Sequence, residues 1–241
     1  MSQDKECTIK PIAYIKCPFP TKFGVPRQSG ITQSIISDII FEPEYRDASA
    51  LRGLEDFSHI WLIWLFSESV SDSWSPTVRP PKLGGNKRMG VFATRSPFRP
   101  NRLGLSCVKI ENINLYTENG PVISVSGADL IDGTPIFDVK PYVVYSDSKP
   151  EALSGFALNP DLNKLKVTFR DRASEILPKE LIPGLTQALE QDPRPAYHDD
   201  ESRLYKMSYS GFDVGFTVHD GCAVVESAEP APIDVDKSKK I

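Results

Sequence analysis

The chain is poor in the residues that build metal centres. Its 241 residues include three histidines, His59, His198 and His219, and four cysteines, Cys7, Cys17, Cys107 and Cys222. No cysteines form a CxxC pair and no histidines an HxH or HxxxH spacing, so no metal is expected and the cysteines read as reduced thiols. Long apolar runs are missing as well. The longest is "IWLIWLF", residues 60–66, far short of the about 20 residues that span a bilayer. It reads as a fully buried strand, and no membrane partner is expected. "MSQDKECTIK" has no apolar signal region, so the expected compartment is the cytoplasm. Three loop signatures are absent too. No GxGxxG follows a strand, "KLGGNKRMG" lacks the Walker spacing, and no GxSxG elbow occurs. Nothing therefore supports a Rossmann, P-loop or serine-hydrolase reading.

What the chain does have is an uneven distribution of charge. Hydrophobic content of 40% suffices for a core, and the net charge is −4. Yet residues 79–109 hold eight cations, Arg79, Lys82, Lys87, Arg88, Arg95, Arg99, Arg102 and Lys109, and no Asp or Glu. The rest of the chain therefore carries −12. A basic block in an acidic protein implies an anionic partner bound at one place.

Short β-branched runs dominate the first 145 residues: "TIKPIAYIK", "QSIISDIIF", "FSHIWLIWLF", "MGVFAT", "LSCVKIENINLY" and "PVISVSGADL". "YRDASALRGLEDF" reads as one short helix with Asp47 near its start. Six strands without βαβ crossovers predict a mainly β fold with an α+β appendage, an antiparallel β-barrel followed by a small α/β unit. The expected division is a barrel over 1–145, a polar seam over 146–160, a small domain over 161–229 and a disordered tail over 230–241. In the small domain "KLKVTF" is a strand and "ASEILPKELIPGLTQALEQ" is helical text broken by Pro178 and Pro183. Ser210-Gly211 is placed to turn a hairpin.

Four segments carry binding chemistry rather than packing. In "KFGVPRQSG", Pro26 stiffens a loop from which Arg27 and Gln28 project. "WSPTVRPPKLGG" combines Trp74 with Arg79 and Lys82, which suits stacking and phosphate contact. In "MGVFATRSPFRPNRLG", Arg95 ends an apolar run and reads as half-buried and aimed. Arg99 and Arg102 read as solvent-facing, available for phosphates. "GADLIDGTPIFDVKPY" holds Asp129, Asp132 and Asp138 and reads as a loop presenting carboxylates beyond a strand end.

These segments together resemble the TrmO (YaeB-like) family. "VPRQ", "LRGLEDFSHIWL", "RPPKLGGNKRMGVFATRSPFRPN", "DLIDGTPIFDVKPY" and "QDPRPAY" follow in that family's order, and the resemblance spans about residues 8–228. It implies an S-adenosylmethionine-dependent tRNA methyltransferase acting on the exocyclic nitrogen of threonylcarbamoyladenosine beside the anticodon. It also implies a cofactor-binding barrel and a homodimer. Carried over by motif, the cofactor contacts are Pro26, Arg27, Gln28, Ser67, Glu68, Arg95, Leu105, Asp129, Leu130, Ile131 and Asp132, with backbone contacts at Ser67 and Glu68. For the tRNA anticodon loop the expected contacts are Arg79, Lys82, Arg99, Arg102, Arg194 and Tyr197. "QDPRPAY" holds Arg194 between two prolines, and Tyr197 offers a ring for a splayed base.

The accepting nitrogen belongs to a urea and is a weak nucleophile, so a base would help. Asp132 and Asp138 are the candidates, with no choice between them. A non-catalytic barrel that grips RNA and holds S-adenosylmethionine as a regulatory ligand is the alternative. The carboxylate segment, which a pure RNA binder would not need, separates the two.

Overall fold

Alternation of buried and less buried side chains builds the first half of the chain. In β1 (Ala13–Lys16) the buried residues are Ala13 and Ile15, and in β3 (His59–Leu65) they are Ile60, Leu62 and Trp64. This is the period of strands that turn one face to a core. The computed structural model describes residues 7–69, 73–80, 83, 87–157, 164–195 and 200–232. Strands β1, β2 (Ile36–Phe41), β3, β6 (Leu103–Thr117), β7 (Gly120–Ser126) and β8 (Pro135–Pro141) close into an antiparallel barrel in the order β1-β2-β7-β6-β3-β8. The closing pair sets Ala13 opposite Ile136. Ile15, Ile39, Ile60, Leu62, Ile123, Val125 and Ile136 fill the interior with no exposed surface, and closure leaves no sheet edge to aggregate.

The expected barrel is present, with one strand exchanged. "MGVFAT" supplies only β5 (Met89–Gly90), paired with β4 (Thr77–Val78) in a separate two-stranded ribbon, and then a 3-10 turn, Val91–Ala93. The sixth barrel strand is "PIFDVKP", expected as part of a loop. Its alternation is hidden because only Ile136 is fully inside while Asp138 and Lys140 pair with each other at 2.8 Å. Pro135 is tolerated because it is the first residue of the strand. Nor is β3 buried on both faces: Trp61, Ile63 and Leu65 are only half-covered. "YRDASALRGLEDF" forms 3-10 turns, not one helix. Asp47 does cap one of them, its carboxylate accepting from Ser49 N at 2.9 Å, but Gly53 at φ 87° breaks the run.

A four-stranded sheet follows, in the order β10 (Tyr205–Tyr209), β11 (Phe212–His219), β12 (Cys222–Pro230), β9 (Lys166–Phe169), with β9 parallel to β12. Ser210 and Gly211, at φ 51° and 80°, turn the β10–β11 hairpin as expected. Before the barrel gives way to this sheet comes one helical turn, α1 (Val144–Asp147). The helical text forms α2 (Asp171–Ile176) and α3 (Ile182–Glu190). Pro178 lies between them, and Pro183 sits in the first turn of α3, where it breaks no hydrogen bond. The tail beyond residue 232 lies outside the described residues.

The two cores are joined by residues 17–35. Phe19 and Ile35 are buried in the core of the C-terminal sheet, and Phe23 and Val25 pack against it. Phe19 meets Tyr209 edge-on at 5.5 Å, and Phe23 stacks on Phe216 at 6.2 Å. Cys17 packs against both cores. A segment of the barrel half is thus anchored by the other half, and it carries the "VPRQ" loop.

Candidate cofactor pocket

At one end of the barrel a cavity of about 610 Å³ opens between that loop and the ends of β3, β6 and the Asp129 segment. Its volume is that of an ordinary small-molecule site. Pro26, Arg27 and Gln28 line one wall, Ser67 and Glu68 another, and Thr94, Arg95 and Arg99 a third. Gly104, Leu105, Asp129 and Ile131 complete it. The wall at Gly104 is shaped by Trp64, its cross-strand partner. A Cβ at Gly104 would lie 2.2 Å from the indole, so glycine is what lets the ring lie flat there.

Trp64 Nε1 donates to Ser106 Oγ at 2.9 Å, and Ser106 Oγ donates to Asp129 Oδ1 at 2.5 Å. Ser106 is wholly buried. The relay fixes one oxygen of Asp129 and leaves its carboxyl at the cavity wall. Burial pushes the Asp129 carboxyl above its ordinary range, opposed by the Ser106 hydrogen bond and by the charge of Arg95. Arg95 in turn donates to Gln28 Oε1 at 2.6 Å, tying the third wall to the "VPRQ" loop. Across the mouth Lys22 Nζ donates to the Glu68 carbonyl and to Ser69 Oγ. On the loop's outer side the Arg27 guanidinium donates to the Asp192 carbonyl at 2.9 Å and the Arg194 carbonyl at 3.4 Å. Segments far apart in sequence therefore meet at this loop.

The sequence-predicted residues divide into those the cavity gathers and those it does not. Pro26, Arg27, Gln28, Ser67, Glu68, Arg95, Leu105, Asp129 and Ile131 line it. Leu130 does not; it is 1% exposed and packs in the barrel core. Both expected bases are engaged elsewhere. Asp132 accepts from Cys17 N at 2.9 Å, capping the end of β1, and Asp138 pairs with Lys140. Neither lines the cavity.

The arginines also differ from expectation. Arg95 is exposed, whereas Arg99 and Arg102 are half-buried. Arg99 donates to the Thr94 carbonyl at 3.0 Å and lines the cavity, and Arg102 Nη1 is buried with no hydrogen-bond partner. Proline-stiffened chain folds these side chains back on itself, which a linear reading of charge misses. Arg79 stays exposed at the end of β4. Arg194 is held in a two-pronged ion pair with Asp192, at 2.8 and 2.9 Å, its side chain only 16% exposed. It therefore stiffens the segment that Arg27 grips rather than offering a free cation. Lys82 and Tyr197 lie outside the described residues.

Sequence reasoning missed Lys22, Trp64, Thr94, Gly104 and the Ser106 relay. The Trp64–Gly104 pairing needs the β3–β6 register, which no local pattern reveals. Lys22, though, stood four residues before Pro26 in a loop already singled out.

Residues 14–148 match the tRNA-methyltransferase O N-terminal domain and residues 163–231 the TrmO C-terminal domain. A tRNA (adenine(37)-N6)-methyltransferase of Escherichia coli K12 is 38% identical over 227 residues, covering 91% of this chain and 96% of that protein. One of Eikenella corrodens is 47% identical over 174 residues, 71% of this chain and 96% of its own. The crystal structure of TrmO from P. aeruginosa superposes with a TM-score of 0.77 at 30% identity, covering 95% of this chain and 99% of that one. The chain belongs to the TrmO family.

Proposed function

We propose that this protein is a tRNA (adenine(37)-N6)-methyltransferase that transfers the methyl of S-adenosylmethionine to the exocyclic nitrogen of threonylcarbamoyladenosine. One observation carries the reading beyond family membership: a half-buried carboxylate, Asp129, held at the wall of a cavity of small-molecule size by a hydrogen-bonded relay. An RNA-gripping barrel has no use for such a group.

The donor set suits the methyl donor. Arg27, Arg95 and Lys22 supply cations for a carboxylate. Trp64, Leu103 and Leu105 supply apolar surface for a purine, and Asp129 is an anion for a cationic sulfur. Bound S-adenosylmethionine supplies a methyl on that sulfur, so transfer forms one N–C bond, breaks one S–C bond and leaves the electron pair on sulfur. The protein's task is alignment and proton removal. Asp129 accepts the N–H proton of the urea nitrogen; its raised carboxyl range makes it a better base than a surface aspartate. Ser106 orients it, and Trp64 orients Ser106. Gln28 and Arg95, joined across the mouth, hold the loop over the site.

The protein works in the cytoplasm as a homodimer and needs no metal. The family resemblance supports the dimer, as do Val144, Tyr145 and Leu153, apolar side chains that are 70%, 89% and 93% exposed. The test is incorporation of labelled methyl from S-adenosylmethionine into tRNA carrying threonylcarbamoyladenosine. Label at the adenosine next to the anticodon is expected. Cofactor and tRNA binding without transfer would favour the regulatory barrel instead.

A further inference from the structure

Trp74, three residues before β4, and Phe92, in the 3-10 turn that follows β5, lie side by side, ring centroids 6.2 Å apart and planes 28° from parallel. They are 52% and 72% exposed and belong to neither core. Nothing in the fold rewards leaving two large aromatic faces in water. Val91 N donates to the Pro76 carbonyl at 2.9 Å, and Arg88 Nε donates to Thr77 Oγ1 at 2.8 Å, so both rings are presented by a braced element.

Their surroundings select the partner. The ribbon adjoins the chain's basic block, which begins at Arg79 directly after β4, contains β5 and has no acidic residue through Lys109. Arg79, Lys87 and Arg88 on the same ribbon are exposed. Exposed rings beside exposed cations suit stacked bases on a phosphate backbone, because every base has a π-face and every linkage a negative charge. The ribbon also leads into the site: Phe92 is two residues before Thr94 and three before Arg95, both on the cavity wall. A nucleotide entering the cavity must leave the stack, and its neighbours need new surfaces.

We propose that Trp74 and Phe92 form a stacking platform for unpaired nucleotides that flank the target adenosine in the anticodon loop. The proposal rests on the tRNA-methyltransferase reading. It assigns the two aromatic residues to substrate RNA rather than to the methyl donor or to a second copy of the chain.

The experiment compares the wild-type protein with Trp74→Ala, Phe92→Ala, Trp74→Phe and the double alanine variant. Binding is measured to an anticodon stem-loop RNA and to the same RNA with abasic positions on both sides of the target. On the intact RNA each alanine variant should bind about tenfold more weakly, with Trp74→Phe close to wild type. On the abasic RNA all proteins should bind alike. Saturable quenching of tryptophan emission by the intact RNA should be smaller in Trp74→Phe, where Trp64 at the cavity wall remains. Affinity for S-adenosylmethionine, melting temperature and oligomeric state should not change.

Equal affinity of the double alanine variant and the wild type for intact RNA overturns the platform. So does loss of RNA binding that tracks loss of oligomer, which would make the rings an interface between copies. Methyl transfer by the wild type judges the parent reading separately. RNA binding without transfer removes the enzyme and leaves the platform to be judged by the affinities. No RNA binding at all overturns both.

Discussion

At the residue scale the site turns on Asp129, because its carboxyl is both useful and costly. Its ionisation is opposed by burial, so its protonated form persists above the ordinary aspartate range. Two opposite pH dependences follow over one window, from the ordinary value of 3.8 up to the raised one. Methyl transfer should rise with pH as Asp129 loses its proton. Stability should fall over the same interval, since the folded state holds the proton that the unfolded state releases. Asp129→Asn keeps an oxygen for Ser106 but can neither ionise nor accept the proton. It should lower kcat by about a hundredfold or more, the usual contribution of a positioned base. It should abolish the acidic limb of the rate profile and melt no lower than wild type at neutral pH. Rate-pH profiles and thermal melts of the two proteins check this, and a variant that retains the limb would move the base elsewhere. The sequence reading gave Asp129 as a cofactor contact and offered Asp132 and Asp138 of the same segment as the base. Only the fold separates them, by giving Asp132 a backbone amide and Asp138 a lysine.

At the scale of elements, β3 and β6 determine the site's inner wall through their register. Trp64 faces Gly104, and Ser106 lies two residues further along β6 on the same face. The indole can thus cross the glycine and reach the serine hydroxyl. Gly104→Ala puts a methyl where the ring lies. The ring must swing away, losing the hydrogen bond to Ser106 and the packing against Phe66, whose centroid is 4.3 Å off. A loss of about 1–3 kcal/mol in denaturant stability is expected, with weaker cofactor binding because Asp129 loses its orientation. Ser106→Ala should weaken cofactor binding without the packing loss, and equal stability losses in both would refute this order of causes. The strands themselves were largely legible, since "TIKPIAYIK" alternates around residues 9–15 and "IISDII" and "PVISVS" are rich in β-branched residues. The exchange of β5 for β8 was not. "MGVFAT" has the composition of a strand but is pulled out of the barrel to pair with β4, while "PIFDVKP" hides one buried isoleucine among polar neighbours. Composition reports what a segment can do; the order of strands around a closed barrel decides which segments get to do it.

At the scale of the whole molecule the charge arrangement matters more than any pair. The protein is acidic overall yet its sequence holds a block of eight cations without an acidic residue, so its affinity for tRNA should fall steeply with salt while its affinity for S-adenosylmethionine changes little. The structure divides that block. Arg79 and Lys87 stand exposed on the ribbon; Arg99 is bound to the Thr94 carbonyl, and Arg102 has one nitrogen buried. Exposed cations release counterions from RNA, and inward ones serve the fold or the cavity. Replacing Arg79 and Lys87 together by alanine should therefore reduce the slope of log affinity against log salt by about 1.4, taking about 0.7 for each single-strand phosphate contact. Cofactor affinity and melting temperature should hold. Arg102→Ala should leave the slope nearly unchanged and should not lower the melting temperature, because the nitrogen it removes is buried without a hydrogen-bond partner rather than presented to RNA. Titrations of tRNA at several salt concentrations measure both slopes. Equal slopes for the ribbon double variant and the wild type would place the RNA path away from β4 and β5, on a face where the chain's negative excess would have to be overcome.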